Sequence, residues 1–284
     1  MTIAIIGATG NFGGDIIDAL LARGTNAPDI LALGRDTAKL DALASRGLRT
    51  TTVDITDEAA TATALAGIET LLLISVGAPG QGLAPRSAAV SAAKAAGVPH
   101  IVYTSALQAP ATSFVLAAEH KATEEVITAS DIAATFLRNG WYTDNLQQDF
   151  ESARARGVVA NSVGDGRLAT APRADFAEAT AVVLTTPGHE GKAYELSGDT
   201  AWDYVEFAEA AQQVLGTPVT YQALTPEQER EMLVGAGLDE ATVGFIGAMN
   251  AGMRDNTQAA TTGDLARLIG RPTTPLIDTL STWK

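Results

Sequence analysis

The chain contains no cysteine, which excludes disulfides, thiolate catalysis and cysteine-ligated zinc. Histidine is nearly as scarce, with three scattered residues, so no metal site is expected. Aromatic residues make up 5%. The interior must therefore be built from aliphatic side chains, Ala and Gly, a composition suited to helices packed closely on a sheet. Basic charge is also short. Lys and Arg number 19 against 33 Asp and Glu, a formal charge of −14, whereas a nucleic-acid groove needs a basic footprint. The acids are dispersed and read as a solvated surface. No apolar run approaches the roughly 18 residues of a membrane span. The opening Met1-Thr2-Ile3-Ala4-Ile5-Ile6 enters a strand directly, without the basic start and cleavage site of a signal peptide. The expected compartment is the cytoplasm.

What is present is a 284-residue chain, 46% hydrophobic and 18% charged, enough for a sizeable core. Its first 140 or so residues alternate strand and helix. Apolar strand runs fall at Ile3–Ile6, Ile30–Leu33, Thr51–Ile55, Glu69–Val76, His100–Ser105 and Ala133–Arg138. Between them lie helical stretches punctuated by Gly24, Gly47 and Gly97. Pro79, Gly80 and Gly82 mark a loop, and Pro85 suits a first helical turn. Short connections imply parallel strands joined by right-handed crossovers. After Asp144 the rhythm changes. Helices are expected over 145–156, 173–185 and 203–215, irregular strand over 158–170, strands at 193–196 and 219–224, and mostly helix from Pro226 onward. The expected fold is α/β: a Rossmann-type, doubly wound, mainly parallel sheet with a smaller, mostly helical C-terminal part. Residues 1–144 form the nucleotide-binding domain. Residues 145–284 form a substrate-side part packed on it and partly interleaved with its sheet.

The strongest local feature is Gly7-Ala8-Thr9-Gly10-Asn11-Phe12-Gly13, placed directly after a strand and opening a helix. A glycine triplet in that context fits dinucleotide binding. Gly7 permits the turn, Gly10 lets backbone approach a pyrophosphate, and Gly13 lets the helix pack on the strand. The helix N-terminus offers N–H groups and a positive dipole end to the phosphates. At the end of the second strand stands Arg35. An acid there would accept bonds from ribose hydroxyls and favour NAD, whereas a guanidinium can pair with a 2′-phosphate and favour NADP(H). Asp36 is better placed as a helix cap. Asp54 lies near the adenine or serves a turn. Ser75 and Val76 end the fourth strand at the carboxyl edge, where ligands sit in such sheets.

Catalytic groups are less defined. None of Tyr103, Tyr142, Tyr194, Tyr204 and Tyr221 has a lysine four residues later, so the usual short-chain dehydrogenase acid pair is missing. Either the acceptor needs little acid help, as a quinone does, or the protein binds coenzyme without turnover. After the sixth strand, Asn139-Gly140-Trp141-Tyr142-Thr143-Asp144 brings two aromatics and several polar groups to the crevice. Trp141 or Tyr142 could wall a flat substrate, and Asn139 could bond a carboxamide. Both rings could equally be core. His120 is a candidate proton donor, although a helix histidine more commonly sits at the surface. Ser105 is a candidate for a substrate carbonyl, and Arg173 for the coenzyme or a turn.

These motifs, together with Leu72-Leu73-Ile74-Ser75, Tyr103-Thr104-Ser105, Gly164-Asp165-Gly166, Arg173-Ala174-Asp175 and His189-Glu190-Gly191-Lys192-Ala193-Tyr194-Glu195, span nearly the whole chain. The chain resembles the atypical short-chain dehydrogenases of the NmrA-like group, and within it the bacterial NAD(P)H:quinone oxidoreductase type 2 family. The Arg138-Asn139-Gly140-Trp141-Tyr142 and His189–Lys192 runs are its specific markers. The resemblance implies a flavin-free, NADPH-dependent quinone reductase. It also implies coenzyme contacts from Gly7–Phe12, Arg35, the end of the fourth strand, Asn139–Asp144 and Arg173. Val76 departs from the small polar residue expected after Ser75. Two other readings stay open: a redox-sensing regulator that binds NADP(H) without turnover, and a reductase of another activated carbonyl, imine or enone. The partners expected are a small quinone or carbonyl compound, no nucleic acid and no membrane; a homodimer is one assembly the chain could form.

Overall fold

The computed structural model describes residues 1–77 and 80–284. Pro79, read from sequence as part of a loop, lies outside them. In chain order the elements are β1 (Ile3–Ile6), α1 (Asn11–Ala22), β2 (Ile30–Gly34), α2 (Thr37–Ala44), β3 (Arg49–Thr52), α3 (Glu58–Ala64), β4 (Thr70–Leu73), α4 (Leu83–Ala95), β5 (His100–Ala106), α5 (Ala117–Ala129) and β6 (Ala133–Asn139). They continue with α6 (Gln147–Arg156), β7 (Val158–Asn161), α7 (Arg173–Thr185), β8 (Ala193–Leu196), α8 (Tyr204–Leu215), β9 (Thr220–Ala223), α9 (Pro226–Gly235), α10 (Glu240–Arg254), α11 (Asp264–Ile269) and α12 (Leu276–Thr282). No helix among the described residues is long and apolar enough to cross a membrane.

Seven strands form a parallel sheet in the order β3-β2-β1-β4-β5-β6-β8. The first six positions reproduce the doubly wound dinucleotide-binding order, whose switch point falls between β1 and β4. The expected Rossmann-type class is thus borne out. Strand residues of both parities are buried, as in Ile3 to Ile6 and Leu71 to Leu73, because helices cover both faces. One face gathers Ala4, Ile6, Leu33, Leu73, Ile101 and Tyr103 against Ala89, Val90 and Ala93 of α4.

Two strands are shorter than the apolar runs suggest. β3 begins at Arg49 and ends at Thr52, because Val53 N–H still reaches Gly34 O but Asp54 then turns the chain by accepting from Thr56 N–H. β4 stops at Leu73, and Ser75 N–H donates to Thr104 Oγ1 instead of a strand carbonyl. The stretch expected to be irregular strand over 158–170 is regular only in β7, which pairs in parallel with β9.

The chain forms two compact units. One comprises Met1–Pro110, Leu116–Asn139 and Ala174–Glu195. The other comprises Ala111–Val115, Gly140–Arg173 and Leu196–Lys284. The second contains the β7–β9 pair together with α6 and α8 to α12; α8 is opened by a reciprocal cap between Asp203 and Glu206.

Candidate functional site

β1 delivers the chain to Gly7, whose φ of +93° is a left-handed backbone that glycine alone adopts cheaply. Gly10 N–H returns to Gly7 O at 3.1 Å and closes the turn. Gly10 is the N-cap of α1 and no side chain caps that helix. A Cβ at Gly13 would strike the Gly7 carbonyl and lie 2.7 Å from Ala8 Cα, so glycine there lets α1 press onto the turn. Ala8, Phe12 and Gly13 are buried and anchor the turn, while Gly10 and Asn11 face solvent. The result is a backbone cradle with a helix N-terminus behind it, which suits a pyrophosphate.

A cleft of about 490 Å³ opens beside it, bordered by Gly7, Thr9, Arg35, Asp54, Val76 and Gln81. The Arg35 side chain is 80% exposed, and its nearest acid is Asp54 at 4.0 Å. That separation leaves the guanidinium able to turn to a phosphate. Asp54 serves the turn and the cleft together. Its Oδ1 accepts from Thr56 N–H and Oγ1–H, and these bonds, more than the Arg35 charge, hold its carboxyl below the usual range. Asp36 caps α2 by accepting from Lys39 N–H.

The three acid or hydroxyl candidates have different surroundings. Ser105 is buried, and its hydroxyl donates to Glu124 Oε1 at 2.6 Å. His120 is half-buried rather than at the surface, with Nδ1 3.0 Å from Tyr103 Oη. Burial, reinforced by the Arg86 charge, lowers its pKa to about 4, so the imidazole is neutral at pH 7. Tyr142 is half-exposed in the second unit and forms a bridge with Ala171. Beside it, Thr143 N–H donates to Ala171 O, its hydroxyl to Thr170 Oγ1, and Asp144 pairs with Arg173 at 3.0 Å. Arg173 N–H also donates to Asp144, which settles the start of α7. Asn139, buried at the end of β6, has its carbonyl bonded by Leu107 N–H. Gly140 N–H donates to Leu196 O at 2.7 Å. Trp141 packs edge-on against Phe114 and keeps a buried indole N–H with no acceptor.

The NAD(P)H-binding family profile matches residues 7–187. The chain belongs to the NAD(P)H-binding family. Its full length is 40% identical to quinone oxidoreductase 2 of Escherichia coli strain K12, over 98% of this chain and 97% of that one. The crystal structure of the Escherichia coli NADPH-dependent quinone oxidoreductase complexed with NADPH superposes with a TM-score of 0.95 at 40% identity, covering 99% of both chains. The Citrobacter sp. triphenylmethane reductase complexed with NADP(H) gives 0.95 at 33% identity over 100% of both. The resemblance read from sequence, and the coenzyme class with it, are borne out. Membership fits the cradle, because a family that holds a pyrophosphate needs the Cβ-free approach at Gly7 and Gly10.

Sequence reading passes over two groups in this family member. The first is Arg86, only 3% exposed, with Glu119 and Tyr103 around it. Its signal was present: Arg86 shares the helical stripe of Ala89, Val90 and Ala93, which face the sheet. The second lies in the other unit, in a cavity of about 720 Å³ lined by Trp141, Asp149, Tyr204, Met232, Phe245 and Met249 among others. There Tyr204 Oη donates to Asp149 at 3.3 Å. Burial raises the Asp149 carboxyl to about 6, against the Tyr204 hydrogen bond and with help from Glu229.

A raised carboxyl pKa means that the folded protein holds the proton more tightly than the unfolded chain. Its contribution to stability is greatest below about pH 4 and is lost as pH rises toward 6. Asp149→Asn keeps the size and hydrogen-bonding capacity without the charge. It should stabilise the fold by about 1–3 kcal/mol at pH 7.5, the gain shrinking toward zero near pH 4. Urea unfolding at the two pH values checks this; a gain independent of pH would show that folding does not raise the carboxyl pKa.

Proposed function

We propose that the protein is a cytoplasmic NADPH-dependent reductase of small quinones that works without flavin. The observation that carries the coenzyme half is the pairing of the Gly7–Gly13 cradle with a solvent-facing Arg35 on the same cleft. Gly7, Gly10 and the first turn of α1 would take the pyrophosphate, and Arg35 the 2′-phosphate. Bound there, the reduced nicotinamide supplies hydride. The acceptor half rests on the full-length relationship to proteins named for quinone and triphenylmethane reduction. The remaining proton is easily found, since a reduced quinone can take it from water or a weak acid.

Among this chain's groups we assign acceptor contact to Tyr142 and Trp141. Ser105 is committed to Glu124, and His120 is neutral at physiological pH. The buried indole N–H of Trp141 fits a carbonyl oxygen, because an orphaned buried donor costs about 1–3 kcal/mol unless a ligand bonds it. The deciding experiment mixes purified protein with NADPH and a panel of benzoquinones and follows loss of the reduced coenzyme. Protein-dependent oxidation is expected, with Trp141→Ala and Tyr142→Phe raising the quinone KM while the NADPH Kd stays unchanged. Coenzyme binding with no turnover on any quinone would favour a redox-sensing regulator.

A further inference from the structure

β4 is followed by a segment that borders the coenzyme cleft through Val76, Gly77 and Gln81. Two side chains outside the cleft hold it from beneath. Arg86, almost wholly buried in the first turn of α4, donates from Nε to Val76 O at 3.2 Å. Glu119, on α5, accepts Gly80 N–H at 3.1 Å through one oxygen and Gly82 N–H at 3.0 Å through the other. The two side chains approach each other at 3.5 Å. The arginine is fixed in turn by Tyr103 Oη and Thr123 Oγ1, each 3.0 Å from Nη1.

Glycine makes the arrangement possible. A Cβ on Gly82 would collide with the Arg86 guanidinium, and one on Gly77 would lie 2.8 Å from Gly82 Cα. Gly77 and Gly82 therefore stand close together, with a cation bonded to the Val76 carbonyl on one limb and an anion to the Gly80 and Gly82 amides on the other. A largely buried charge pair whose bonds to the loop all go to backbone is a costly way to stabilise that loop, since removing either partner strands the other. It is an effective way to fix where that loop sits.

We propose that Arg86 and Glu119 are positioning residues for the coenzyme: together they clasp the segment after β4 at its carbonyl on one limb and its amides on the other, and so set the wall of the NADP(H) cleft. This rests on reading that cleft as the coenzyme site. Arg86 suits the task where lysine would not, because a planar fork reaches Val76, Tyr103 and Thr123 at once.

The test titrates NADPH by the fluorescence of the reduced coenzyme and follows amide hydrogen exchange of the 76–82 peptide in the free protein. Glu119→Ala should speed exchange of that peptide and raise the NADPH Kd about tenfold, a change of roughly 1.4 kcal/mol. Turnover at saturating NADPH should stay within about twofold, since uniform binding is lost and the reacting end is untouched. Glu119→Gln keeps one acceptor and the size of the side chain. It should fall between the two, and it serves in place of Glu119→Ala should that variant fail to fold. A variant with faster exchange but wild-type NADPH affinity would overturn the clasp. Wild-type protein that binds no NADPH would instead overturn the reading of the cleft.

Discussion

Replacing Arg35 by alanine should weaken NADPH by roughly 30- to 150-fold, the equivalent of losing about 2–3 kcal/mol of charge-assisted hydrogen bonding. NADH should change by less than about threefold, since it has no phosphate for the guanidinium to grip. The asymmetry follows from the position of the side chain. Arg35 is exposed, packs against little, and has only Asp54 at 4.0 Å as a charged neighbour. Its removal costs the fold almost nothing, so the loss should be confined to ligand. Isothermal titration with both coenzymes measures it directly. Equal weakening of both would remove Arg35 from the phosphate site and with it the structural case for NADPH.

Arg138→Met should give the largest loss of stability, about 3–5 kcal/mol in urea unfolding. Arg138 leaves β6 and forms a two-point pair with Glu124 of α5, at 3.0 and 2.7 Å, and a third bond with Glu195 of β8 at 2.8 Å. Ser105 of β5 and the backbone of Gln108 complete the cluster. Two strands, a helix and the last strand of the sheet are thereby tied to one guanidinium. Without it, a carboxylate only 8% exposed is left beside another. The double variant Arg138→Met with Glu124→Leu should lose less than Arg138→Met alone, because the stranded charge is removed too. If the double variant were worse than the single, the cost would come from packing and not from an uncompensated carboxylate.

The marker run at 138–142 thus contains residues with separate jobs, which sequence alone could not sort. What sequence makes legible is whatever depends on local chain geometry. The glycine triplet, Arg35 at a strand end and Asp36 as a cap are all readable because each acts through neighbours a few residues away. The strand order follows from the βα rhythm and the handedness of crossovers. Side-chain partnerships between distant elements stay hidden. Ser105 looks like a substrate contact until Glu124 is found against it. His120 looks like a surface residue until α5 turns it toward Tyr103. Arg86 and Glu119 are separated by most of α4, the whole of β5 and the loop before α5, so no spacing rule brings them together. Strand ends fail for a related reason. Ile55 and Val76 are apolar enough for a strand, but the Thr56 N–H donated to Asp54 and the Ser75 N–H donated to Thr104 Oγ1 end the ladder earlier.

The small turn at the end of β2 has a bearing on how coenzyme preference could change over evolutionary time. Asp36 is already spent on the amide of Lys39, and Asp54 stands across from position 35. An acid substituted for Arg35 would stand beside Asp54 with the cation gone, and like-charge repulsion would disfavour the pose that reaches the ribose. Drift toward NADH use therefore requires neighbouring residues to change first, and the present trio acts as a ratchet that favours keeping the phosphorylated coenzyme.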